Sequence, residues 1–217
     1  MVQFLVREMS SLGRSPLITT QGMDWQLYHA IYGVSLHHRW LGSLFHGIEQ
    51  ASIPFMVVAA VGLWLFARPG GSRKWKLAAA EALLASGVAL AINRAIASFW
   101  FRERPFLAHR IAHPWINSHD ASFPSDHASA SFAIAFVVLM VDPLVGLFYL
   151  GFALVIAVGR VLIGAHYPGD VAAGVLVGAF SAVVVMRFAR PLITSAVGLL
   201  ERFTDPVLRR LWGGVSK

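Results

Sequence analysis

Six polar residues stand where apolar stretches of this chain begin or end: Arg102 and Arg104 in "FRERPF", His127 in "ASFPSDHASAS", and Arg160, His166 and Asp170 in "GRVLIGAHYPGD". Ionisable groups near hydrocarbon are costly unless they have partners and a task. The chemistry that suits these residue types is phosphoryl transfer. A phosphoryl group in flight spreads negative charge over several oxygens, and arginine's planar fork holds two of them while staying charged. Arg102, Arg104 and Arg160 are the candidate clamp. A neutral imidazole nitrogen attacks phosphorus once a carboxylate fixes the proton on the opposite nitrogen, which puts His166 forward as nucleophile and Asp170 as its partner. The two are four residues apart and share a face if helix has already begun there. Pro168 fits the first turn of such a helix, whose free N–H groups and positive dipole end would then face an anion. His127 is the candidate general acid for the departing oxygen.

Ser125, Asp126 and His127 are consecutive, which invites comparison with a hydrolytic triad. Successive helical residues project about 100° apart, so three neighbours cannot line up in a relay. Ser125 reads instead as a helix N-cap that can also donate to phosphate; Asp126 reads first as a first-turn acid complementing the helix dipole and second as one of the phosphate-site residues.

These residues must be positioned by membrane helices. Of the 217 residues 57% are hydrophobic and 13% charged, and the mean hydropathy of +0.64 is that of an integral membrane protein. Five apolar stretches stand out at about 53–66, 77–101, 128–141, 145–163 and 171–188, all read as helices because backbone groups in lipid must be bonded within their own segment. Before them "GMDWQLYHAIYGVSLHH" alternates at helical spacing and is predicted to form an amphipathic interfacial helix. After them "ITSAVGLLERFTDPVLRRLWGG" looks similar, interrupted at Pro206. The expected fold is an all-α integral membrane bundle of about five or six transmembrane helices, forming one domain over 1–217, with an N-terminal interfacial helix. The segment around Arg7, Glu8 and Arg14 lacks the apolar core and cleavage site of a signal peptide. There is no cysteine, which excludes disulfides and thiolate metal sites.

The net charge of +7 fits topology determinants and contact with anionic membrane lipids better than nucleic-acid binding. Arg68, Arg73, Lys74 and Lys76 in "ARPGGSRKWK", and Arg187, Arg190, Arg202, Arg209 and Arg210 after the fifth stretch, are expected on the cytoplasmic face. Five spans then place the N-terminus outside and the C-terminus inside. The loop from Arg102 to Asp126 and the turn at "GAHYPGD" share the opposite face.

The ordered set Arg104-Pro105, Pro124-Ser125-Asp126-His127, and Arg160 with His166 and Asp170 resembles the three-part signature of the type 2 phosphatidic acid phosphatase superfamily. Within it, "RERPF", "ASFPSDH" and "GAHYPGDV" are most similar to bacterial undecaprenyl pyrophosphate phosphatases of the bacitracin-resistance type. The motifs span residues 93–170, and "AIYGVSLHHRWL" is similar too. The resemblance implies a phosphatase needing no metal or other cofactor and working through a phosphohistidine. His166 would be nucleophile, Asp170 its orienting partner, His127 the acid, and Ser125, Arg104 and Arg160 the phosphate holders. A polyprenyl pyrophosphate would be cut to the monophosphate at the extracytoplasmic face of a bacterial inner membrane, returning the cell-wall carrier lipid to use. Two positions depart from the pattern. The lysine expected seven residues before Arg104 is Ala97, where Arg102 is the candidate replacement, and Asp126 adds a negative charge where the superfamily commonly has glycine.

Other readings stay open on the sequence. Motifs hold phosphate, not tails, so a phosphatidylglycerol phosphate phosphatase or a phosphotransferase to lipid A fits them also, and a non-catalytic anion-binding membrane protein would carry the same arginines. Oligomeric state is not encoded in any of these motifs. His29, His37, His38, His46, His109, His113 and His119 carry no such support, and zinc at "HH" or at His119-Asp120 is less favoured than interfacial polarity. Asn93 could bond across helices and Arg94 could snorkel or reach the site. Trp100, Trp115 and Trp212 read as interfacial anchors.

Overall fold

The structure, a computed structural model, describes residues 16–67, 72–109, 111 and 115–213. Arg7, Glu8, Arg14, Arg68, His113 and the side chain of Trp212 lie outside that description. The elements are α1 (Pro16–His37), α2 (Arg39–Phe66), α3 (Lys74–Phe99), the one-turn α4 (Pro105–Ala108), α5 (Asp126–Val141), α6 (Pro143–Leu162), α7 (Pro168–Val184), a π-helical turn (Val185–Ala189) and α8 (Arg190–Gly213), with no strand among the described residues.

The apolar stretches are the cores of longer helices. The first begins at Arg39 rather than near residue 53, giving a 28-residue α2 that runs through Pro54. Four helical segments are long and apolar enough to cross a membrane, and α5, at 16 residues, is a shorter apolar helix. Their outward faces carry large exposed apolar side chains, among them Val58, Leu84, Leu147, Phe148, Leu176 and Phe180. Such a belt suits hydrocarbon and not water.

At the centre is α5, packed against α3, α6 and α7. Its residues from Ala128 to Ala135 are buried on every side, as expected of a helix that is apolar all round and rich in small residues. Close approach to α7 depends on two glycines. A Cβ on Gly174 would lie 2.8 Å from the carbonyl oxygen of Ser125, and one on Gly178 would lie 2.7 Å from that of Ser129. The seam is tied by a hydrogen bond from the Ser125 backbone N–H to the Asp170 carbonyl at 3.1 Å. It thereby fixes the start of α5 against the start of α7, where two of the three motifs lie.

At the other end of the bundle Arg73 and the first turn of α3 meet α8 and the junction between α5 and α6. Buried Lys76 donates to Asp205 at 2.5 Å and Glu201 at 3.3 Å, Arg73 pairs with Glu201 at 3.0 Å, and Lys74 with Asp142 at 3.1 Å. Pro206, expected to interrupt the C-terminal segment, is carried inside α8. Asp205 and the buried Leu208 anchor the helix on both sides of it. From Pro168 the helix runs on through the π turn into α8, and its stretch from Pro168 to Arg210, 43 residues, is apolar enough to include a membrane span.

Gly178→Leu is expected to force α7 off α5. Overpacking of this kind costs about 1–3 kcal/mol, read as a lowered midpoint of thermal unfolding in detergent, whereas Gly151→Leu, at a position with no atom within 4 Å of a new Cβ, should leave it unchanged.

Candidate active site

Three chain segments converge at one end of α5, α6 and α7. His166, only 1% exposed, sits in the turn after α6, where Gly164 takes φ +78° and lets the chain reverse beneath Tyr28 and Tyr32. Its Nδ1 is 2.7 Å from the carbonyl oxygen of Ser122. A carbonyl only accepts, so Nδ1 carries the proton and Nε2 is left bare. Nε2 lies 3.2 Å from Arg104 Nη1 and 3.1 Å from Arg160 Nη2. The result is an unprotonated, buried imidazole nitrogen between two guanidiniums. Burial, then Arg160 and Arg104, hold the His166 imidazole well below the usual histidine range.

Each arginine is fixed from behind. Arg104 donates from Nε to Asp120 at 3.0 Å and from Nη1 to the Ala165 carbonyl at 3.0 Å. Asp120, for which the sequence offers zinc binding as the weaker reading, serves here to aim an arginine. Its carboxyl is lifted by burial but brought below the ordinary range by Ser118 and Arg104. Arg160 donates from Nη1 to Glu49 at 2.6 Å.

Asp170 stands beside His166, as expected of the pair, but without a direct hydrogen bond. Its Oδ2 is 3.8 Å from Nδ1, beyond hydrogen-bond range. The carboxylate is instead filled by Ser122 Oγ at 2.5 Å, the Tyr167 backbone N–H at 3.0 Å and Arg102 Nη1 at 2.6 Å. It therefore holds the residue whose carbonyl holds the histidine. The physical reason is its place at the start of α7, where orphan N–H groups compete for any acceptor. Those N–H groups do not face a substrate anion either: Tyr167 donates to Asp170 and Gly169 to Asp24 at 2.8 Å.

Arg102 does not join the clamp. It pairs with Asp170 and with Asp24 at 2.7 Å, and its guanidinium stacks 3.9 Å above the Tyr167 ring. Held between two carboxylates, it cannot replace a phosphate-binding lysine at Ala97. Ser125 does occupy the N-cap position of α5, yet its side chain makes no cap hydrogen bond, and its Oγ is fully buried without a partner. A buried orphan hydroxyl is a group waiting for an acceptor or donor. Asp126 points outward and accepts from Asn93 Nδ2 at 2.7 Å, and Asn93 also bonds Ser129 across the α3–α5 contact at 2.9 Å. That is a helix-to-helix brace and places Asp126 away from the guanidiniums. Arg94 is exposed and outside the site. His127 completes the cluster, its Nε2 3.6 Å from Glu49 Oε1.

Four contributors were not among the sequence candidates for phosphate chemistry: Glu49, Asp120, Ser122 and Asp24. Ser122 lay within the quoted "ASFPSDH" and is readable only as a carbonyl and a hydroxyl that the fold aims. Asp24 stood in the interfacial helix, where a lone acid near Trp25 looks solvated. Among the described residues no three His, Asp or Glu side chains gather as a metal site.

Comparison with known proteins gives the family and the fold. The sequence pattern of the PAP2 superfamily matches residues 78–193. Undecaprenyl-diphosphatase BcrC of Bacillus subtilis is 31% identical over 87% of this chain and 95% of its own length. Decaprenylphosphoryl-5-phosphoribose phosphatase of Mycobacterium tuberculosis is 35% identical over 61% of this chain and 70% of its own. Among solved structures, a transmembrane PAP2 type phosphatidylglycerolphosphate phosphatase from Bacillus subtilis superposes with a TM-score of 0.60 at 21% identity, covering 88% of this chain and 94% of that one.

With its pKa depressed, His166 should remain neutral at about pH 6, where a free histidine is largely protonated. Nitrogen-15 spectra of histidine-labelled protein, assigned against His166→Gln, should show Nδ1 protonated and Nε2 bare at that pH. A doubly protonated ring would contradict the arrangement.

Proposed function

The chain belongs to the PAP2 superfamily and is a multi-pass membrane phosphatase, and we propose that it hydrolyses undecaprenyl pyrophosphate to the monophosphate at the extracytoplasmic face of a bacterial inner membrane. The observation that carries the reading is the bare Nε2 of His166 between Arg104 and Arg160; the similarity to BcrC along nearly its whole length supports the substrate.

In this mechanism the terminal phosphate enters between the two guanidiniums and displaces their bonds to Nε2. Their forks take its equatorial oxygens, and Ser125 Oγ donates to a third. Nε2 of His166 forms a bond to the distal phosphorus as the bond from phosphorus to the bridging oxygen breaks, and His127 passes its proton to that oxygen. Ser122, held by Asp170, keeps the Nδ1 proton in place as positive charge grows on the ring. Undecaprenyl phosphate leaves. Water then attacks the phosphohistidine, gives its proton to His127, and inorganic phosphate departs as the N–P bond breaks. No step calls for a metal.

The outward orientation draws on the opposite end of the bundle, where Arg73, Lys74, Lys76 and Arg190 collect as positive-inside residues do. A second reading, removal of a phosphate from a sugar borne on a polyprenyl phosphate, is favoured by the likeness to the mycobacterial phosphatase. A competition panel of lipid phosphates separates the two.

Purified protein should release phosphate from undecaprenyl pyrophosphate with EDTA present, and His166→Ala should lower kcat by at least about 10³-fold. Equal rates in the two proteins, or a strict need for added divalent metal, would sink the mechanism. Because the chain has no cysteine, topology can be read with single introduced ones. Ser118→Cys in intact cells should react with a membrane-impermeant maleimide, and Arg209→Cys only after permeabilisation.

A further inference from the structure

Glu49 belongs to α2, which carries none of the three motifs, yet its Oε1 reaches both Arg160 Nη1 at 2.6 Å and His127 Nε2 at 3.6 Å. A carboxylate placed beside an anion-binding site opposes binding unless it serves the reaction. His127 has such a need. The charged and titratable groups around it are Arg160 from α6, Arg104 ahead of α4, His166 from the turn before α7, Asp120 from the loop before α5, and Glu49. Burial first, and then two permanent cations, disfavour charge on a ring that must itself be cationic to act as an acid, so an anionic neighbour and the bound phosphate have to offset them. Asp120 is already committed to Arg104.

Resting on the functional reading above, we propose that Glu49 is the positioning residue for the general acid: its carboxylate, an ion-pair partner 3.6 Å from His127 Nε2, favours the protonated ring while substrate is bound. His127 is imidazolium before the attack of His166 on phosphorus, neutral once the bridging oxygen has taken its proton, and imidazolium again after water delivers one during hydrolysis of the phosphohistidine. Glu49 exchanges no proton in this cycle. It stabilises the two states in which the ring is charged, and it also turns the Arg160 fork so that Nη2 remains free to face His166 Nε2.

A general acid loses activity as pH rises through its pKa, and a neighbouring carboxylate raises that pKa. Removing the charge therefore moves the basic limb of the kcat profile to lower pH. Glu49→Gln keeps the shape and leaves an amide oxygen to accept from Arg160.

The test measures phosphate release from undecaprenyl pyrophosphate in detergent between about pH 5.5 and 9, with unaltered protein, Glu49→Gln, His127→Ala, the double variant and His166→Ala. Glu49→Gln should lower kcat about tenfold near pH 8, the equivalent of one pKa unit, with the deficit shrinking towards pH 5.5 and KM changing by less than about threefold. In the His127→Ala background it should cost nothing further. A loss independent of pH, a change confined to KM, an additive loss in the double variant or no loss at all would overturn the role. Failure of the functional reading looks different. It shows as no phosphate release by the unaltered chain, or as release that survives His166→Ala, and either removes both conclusions.

Discussion

The structure turns on one buried carboxylate. Asp170 has no exposed surface, and an ion so placed is tolerated only when every oxygen is engaged. Arg102, Ser122 and the Tyr167 N–H supply that engagement. Each of these ties a different part of the chain to one point. Arg102 brings the end of α3 and, through Asp24, brings α1. Ser122 brings the loop before α5, and Tyr167 brings the turn that bears His166. The histidine is therefore oriented by a scaffold rather than by its nearest acid. Removing the Asp170 charge would release Arg102 and Ser122 together, so its loss would be felt both as misplaced histidine and as loosened packing of α1.

Such a scaffold is only partly legible in sequence. Helices with apolar faces announce themselves by composition, and residues grouped at helix ends announce a site, so the all-α bundle and the gathering of His127, Arg104, Arg160 and His166 were legible. The partner of a side chain was less so. Spacing put His166 and Asp170 together, but at the start of a helix the backbone N–H groups outcompete an imidazole for the carboxylate. Arg102 looked like a spare phosphate ligand because charge is visible in sequence and prior engagement is not. Glu49 was invisible for a related reason: it comes from a helix without a motif, about one turn before a long apolar run, where an acid reads as the edge of the membrane. Asp126, which had no evident use, found one in Asn93, a pairing between helices more than thirty residues apart.

The two ends of the bundle treat charge differently. Around His166 positive groups are left with capacity to spare, and the buried Ser125 hydroxyl is left unbonded, a local cost consistent with a pocket completed by an anion. Around Lys76 the same kinds of residue are closed on one another, with Glu201 shared by Arg73 and Lys76. Saturated pairs of that kind fix geometry and bind nothing further. The contrast separates a reactive end from a structural one without reference to any motif.

The π turn between α7 and α8 sets how those ends relate. A π turn holds one residue more than an α turn, so the helix beyond it is rotated by about 100° relative to an uninterrupted one. Upstream, Gly174 and Gly178 fix which stripe of the helix meets α5. Downstream, Glu201 and Asp205 fix which stripe meets Lys76. The extra residue acts as a phase adjuster, allowing one rod to satisfy two partners whose bearings differ. Forcing residues 185 to 189 into α geometry with all five retained would swing both acids away from the lysine, whereas deleting one of the five would straighten the rod and keep both bearings.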